Sequence, residues 1–267
     1  MKAQSRAMTH AAVPPGLGVI RAGFARGVVF VVATAWGLII LLQVTGHMAF
    51  IHHQQLFGNK GSPSPASLLA FVVAWQVMVV AMMAPSSLPL LGAVAADGRV
   101  GQPGRARRTG FVAGYVLVWT LFGLLALLGD SRLHVLANSS PWLYSHSSLI
   151  TGALLLTVAA HQVFAPLAWC ERLDASAVGL LLQPGTQASL RAGTRHGLAA
   201  VCGCWSLMLL MFTAGVGNLG WMATLTMLIW YERWGRERYL LSRVVGAAAL
   251  VVGVAALLVG SAQVVLP

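Results

Sequence analysis

Apolar residues in this chain gather in blocks, not stripes. Seven largely apolar runs follow one another, at about 27–46, 66–94, 111–129, 148–167, 197–214, 219–234 and 244–265, and most of the arginines fall between them. A helix of about 20 apolar residues crosses the roughly 30 Å of hydrocarbon in a bilayer. None of the runs alternates apolar with polar positions as the strands of an outer-membrane barrel do. The expected fold is therefore all-α: a polytopic membrane helix bundle of about seven transmembrane helices. The first run is longer than the apolar core of a signal peptide and is expected to stay as a helix. Residues 1–26, with Lys2, Arg6, Arg21 and Arg26, read as a basic cytoplasmic N-terminal segment. Residues 27–267 read as a single transmembrane helical domain, because the longest hydrophilic connection, 168–196, has no long periodic apolar face of its own.

Composition agrees with this pattern. The chain is 58% hydrophobic and 9% charged, where an ordinary soluble surface needs about a quarter charged residues. A net charge of +11 would suggest nucleic acid in a soluble domain. Here the basic residues sit in short segments between apolar runs, where they set orientation, so no nucleic-acid partner is expected. With the N-terminus cytoplasmic, only Lys60 and Arg132 of the 17 lysines and arginines fall on the outer side. The expected location is a bacterial inner membrane, multi-pass, with lipid as the surrounding partner. Three cysteines, Cys170, Cys202 and Cys204, are too few and too closely tied to apolar runs for a secreted disulfide framework. Free thiols or metal ligands are expected instead.

The chemistry concentrates in two of the runs. The second holds Trp75-x-x-Met78-x-x-x-Met82-Met83-x-Pro85, and the fifth holds Cys202-Gly203-Cys204-Trp205-x-x-Met208 with Met211 beyond. They share Trp-x-x-Met, and an offset of three spans would make them an inverted repeat of the kind that encloses transporter sites. Chance identity in apolar sequence is the competing reading. On a helix, Met78 and Met82 project within about 40° of each other, and Cys204, Met208 and Met211 share a face. Thiolate and thioether are soft ligands suited to Cu(I), whereas methionine at helical spacing also serves as ordinary packing. Cys202 and Cys204 point about 160° apart on a regular helix, so they chelate one ion only if Gly203 lets the backbone depart from it. His161 lies inside the fourth run, and an intramembrane ionisable group faces a partner or cavity. Pro85 and Pro89 free carbonyls near the end of the second run, where a kink or unwound turn is expected with Ser86 and Ser87 to satisfy them. His47, His52, His53, His134 and His146 face outward in this topology, as a metal-collecting surface or as ordinary loop residues. Glu232 is expected in an interfacial charge cluster. No hydrolase triad order, P-loop or dinucleotide fingerprint appears, so no enzyme activity is indicated.

The residues Trp75, Met78, Met82, Met83 and Pro85, with Gly197, Cys202, Gly203, Cys204, Trp205, Leu207 and Met208 and continuing through Phe212, Gly215, Asn218, Trp221 and Met222, resemble a bacterial family. It is the uncharacterised, predicted metal-binding integral membrane protein family, and the resemblance runs from the second to the sixth span. It implies metal binding. The chain departs from the family where more cysteine is common, at Ala200 and after Pro166, where only Cys170 stands, with Asp174 four residues on.

Together these readings point to a membrane protein that binds a soft transition metal, above all Cu(I), for transport or transfer. The expected ligands are Cys202, Cys204, Met208, Met78, Met82 and His161, and a membrane or periplasmic protein is the expected exchange partner. The alternative is a non-metal scaffold or assembly subunit whose Trp-x-x-Met helices pack against a neighbour. A haem protein would need a second axial histidine at the depth of His161, and none is so placed.

Overall fold

A computed structural model describes residues 15–46, 64–96, 104–142, 146–164, 167–181, 183–214 and 218–265. Among them every regular element is an α-helix: α1 (Pro15–Val44), α2 (Pro65–Ala96), α3 (Gly104–Ser139), α4 (Ser147–Phe164), α5 (Leu167–Leu181), α6 (Thr186–Ala214), α7 (Leu219–Trp234) and α8 (Arg238–Val265). The all-α expectation holds. The number of spans is coarser than seven. Stretches long and apolar enough to cross a bilayer lie in α1, α2, α3 and α8, and α4 with α5 qualifies only as a pair bent by 66°. The hydrophilic connection expected after residue 167 is itself helical, as α5. The first helix begins at Pro15, inside the basic segment.

Side chains on the outer faces are apolar, among them Phe30, Leu125 and Val251, as on helices surrounded by lipid. The buried core joins α1, α2, α3, α4, α6, α7 and α8 around Trp75, Met82, Trp119, Leu207 and Met208. Between α3 and α6 the two backbones touch. A Cβ on Gly114 would stand 2.2 Å from the carbonyl oxygen of Leu190, and one on Gly193 would stand 2.0 Å from that of Phe111. Small residues of this kind let helices approach closely where apolar surroundings give no hydrophobic drive between them.

The helix α2 runs through Pro85 and Pro89 without the expected unwound turn. Pro85 has no N–H for the carbonyl of Ala81, four residues back. The indole N–H of Trp36 on α1 donates to that carbonyl at 3.1 Å. The hydroxyl of Ser86 donates to the Met83 carbonyl at 2.8 Å, and that of Ser87 reaches it at 3.3 Å. The carbonyl that Pro85 frees thus finds a partner without the helix opening.

Candidate metal centre

The site is built on the Met82–Ser86 turn of α2 and the middle of α6. Met82 and Met83 are both fully buried but face different neighbours, as adjacent residues about 100° apart on a helix must. Met83 meets α6: its Sδ lies 4.0 Å from Cys204 Sγ, and the same thiol donates to the carbonyl of Ala200 at 3.0 Å. Cys204 is the free cysteine of the chain. Both sulfurs line a cavity of about 200 Å³. Its wall continues through Cys170, Ala199 and Gly203 to Glu171, Asp174, Glu232, Arg233 and Arg238. Gly203 matters by what it lacks: nothing lies within 4 Å of the position its Cβ would take.

The other two cysteines correct the expectation of free thiols. Cys170 on α5 and Cys202 on α6 form a disulfide, with Cα atoms 5.8 Å apart. Cys202 and Cys204 lie on opposite faces because α6 stays helical through Gly203, so the Cys-x-Cys pair does not close on one point. Met78, Met82 and Met208 are buried in the same apolar core as Cys204 and Met83, though not on the cavity wall. His161 is half-buried against α6. Its Nε2–H donates to the Cys202 carbonyl at 3.0 Å, its Nδ1 accepts from Ser206 Oγ at 2.8 Å, and its ring meets Trp205 edge-on. Both ring nitrogens are thereby occupied. Among the described residues, no three side chains of His, Cys, Asp and Glu converge as a metal site.

Polar groups brace the cavity wall. Arg233 on α7 reaches Asp174 at 2.8 Å, and Asp174 accepts from His196 Nδ1 at 2.6 Å. His196 Nε2 in turn is hydrogen-bonded with Ser87 Oγ at 3.0 Å. Burial holds His196 below its usual range, against the opposing pull of Asp174, and its ring is bonded at both nitrogens. This Ser-His-Asp row is invisible in the sequence, where the three lie far apart. Ser87 and His196 are buried and neither lines the cavity. The row ties α2, α5, α6 and α7 together. Glu232 does not pair with its neighbour Arg233; it accepts from Gln162 Nε2 at 3.0 Å, and Gln162 is held by Ser242 of α8. Arg238 pairs with Glu171 at 2.7 Å.

Sequence reasoning placed Cys204 in the site and preferred Met82 to Met83, since Met82 shares a face with Met78. The Met-Met pair was visible, but which member turns toward α6 depends on how α2 is rotated in the bundle. Of the outward histidines, His146 stacks on Trp142 and bonds its carbonyl, while His47, His52 and His53 lie outside the described residues.

A family model described as PpoB2, copper chaperone, matches residues 72–256. Neither a curated protein nor a solved structure matches the chain.

Proposed function

The chain belongs to the PpoB2 copper chaperone family, and on that premise we propose that it is a multi-pass inner-membrane protein that binds Cu(I) at Cys204 and Met83 and passes it on. The observation that carries the reading is the meeting of a free thiol and a thioether, 4.0 Å apart, on the wall of one cavity. Thiolate and thioether select Cu(I) over harder ions. Taking about 2.3 Å, the length of a zinc–thiolate bond, as the scale, two sulfurs 4.0 Å apart subtend about 120° at a shared ion. That is the angle of a trigonal pair, and it leaves a third position open toward the cavity.

An open position is what an ion carrier needs. A copper held by two protein sulfurs can be approached by an acceptor's ligand through the cavity, and the transfer then runs by exchange of one sulfur for another. Met78, Met82 and Met208 share the pair's apolar core as further soft side chains. Cys202 contributes a sulfur only after its disulfide is reduced, and His161 only by giving up one of its hydrogen bonds. Arg233 and Arg238 line the cavity, and the bias of arginine toward the cytoplasmic side supports a cavity that opens toward the cytoplasm.

The test is the copper content of the full chain, purified in detergent after loading with Cu(I) under argon. One tightly held copper per chain, not displaced by zinc, is the expected result. A folded protein that holds no copper would overturn the reading and favour the scaffold.

A further inference from the structure

The disulfide and the open coordination position lie on the same cavity. Cys170 lines it together with Cys204 and Met83, whereas its partner Cys202 does not. Between them Gly203 presents bare backbone, and no side chain blocks the space over it. The bond holds the Cys170 sulfur on Cys202's side of α6; once freed, the thiol can turn about its Cα–Cβ bond into the compartment that Cys170 lines, where the third position of a trigonal site opens. The thiol of Cys202, about 160° around α6 from Cys204, would not reach it. We infer that Cys170 is the third copper ligand, sequestered in the Cys170–Cys202 disulfide and delivered to the cavity when that bond is reduced. The inference rests on the Cys204–Met83 site proposed above.

The step balances with a dithiol reductant. One of its thiolates attacks a disulfide sulfur, the mixed disulfide resolves by attack of the second thiol, and the reductant leaves as its own disulfide. Cys170 and Cys202 are each left as a thiol. Cu(I) then displaces the protons of Cys170 and Cys204 and is held by two thiolates and one thioether. No change in the copper oxidation state is involved. On the cytoplasmic side proposed for the mouth, disulfides are transient and used for catalysis or redox sensing. A bond there that controls one ligand of a metal site fits that environment. The oxidised chain would hold copper by two sulfurs and exchange it readily; the reduced chain would retain it.

Two single variants separate this from a merely structural disulfide. Cys202→Ser breaks the bond and frees Cys170; Cys170→Ser breaks it and frees Cys202. Affinity is measured by competition with a chromophoric Cu(I) chelator on the full chain in detergent, with thiol counts to verify the redox state and thermal unfolding to verify folding. Wild-type protein reduced with a dithiol, and Cys202→Ser, are expected to bind Cu(I) at least about tenfold more tightly than the oxidised wild type, since each gains a thiolate ligand. Cys170→Ser is expected to match the oxidised wild type. Equal affinity in all four preparations, or equal tightening in both variants, would overturn the inference while leaving the two-sulfur site standing. If Cys204→Ser in the oxidised chain bound as tightly as wild type, the underlying site would fail, and the third ligand with it.

Discussion

Replacing Cys204 with serine is expected to lower Cu(I) affinity by at least about a hundredfold, roughly 2.7 kcal/mol, while the chain still folds. The loss is large because the substitution removes the free thiol and puts a hard hydroxyl oxygen in its place, a poor ligand for a soft ion. Folding survives because the change is small and the local bond is preserved. Cys204 donates to the Ala200 carbonyl four residues back, and a serine hydroxyl bonds an i−4 carbonyl in a helix in the same way. Met83→Leu removes the second sulfur at nearly constant volume, a class of core change that costs less than about 1.5 kcal/mol of stability. It is expected to weaken copper binding by about tenfold, less than the loss of the charged ligand. Chelator competition on the oxidised protein gives both figures, and unchanged affinity in both variants would remove the site.

Gly193→Leu is expected to have the largest effect on stability. Its Cβ alone would stand 2.0 Å from the Phe111 carbonyl oxygen and 2.8 Å from the carbonyl carbon. The obstacle is backbone, so no rotamer change relieves it, and α3 must separate from α6. Overpacking of a core costs about 1–3 kcal/mol when side chains can move aside, and here they cannot. The variant should lose most of its thermal unfolding transition, and its copper binding with it, because α6 carries Cys204. Gly203→Ala is the matched control. Its added methyl meets nothing within 4 Å, and alanine favours a helix over glycine by about 1 kcal/mol. That variant should unfold at or above the wild-type temperature. Equal melting of the two would show that the close crossing of α3 and α6 does not hold the bundle together.

The parts of this structure that depend on local physics could be read from sequence. Apolar run length gives the helices, and Cys204 announces itself as a thiol within an apolar run beside methionines. What could not be read depends on how helices rotate and pair. Helical spacing groups Met82 with Met78, but contact with α6 is made by Met83, one position further round. Cys170 sits 32 residues before Cys202, on a connection whose apolar pattern is too weak to announce the helix α5. The unwound turn expected at Pro85 is absent, and the Ala81 carbonyl that Pro85 leaves without a donor finds Trp36, 45 residues away. His196, Ser87 and Asp174 meet only because α2, α5 and α6 converge, and no spacing encodes that convergence.

The measurement that bears most directly on copper binding by Cys204 and Met83 is X-ray absorption at the copper edge of the oxidised full chain loaded with one equivalent of Cu(I). The site described here predicts a shell of sulfur scatterers at about 2.3 Å, reduced in Met83→Leu and in Cys204→Ser. A first shell made only of nitrogen and oxygen, unchanged by either substitution, would contradict it.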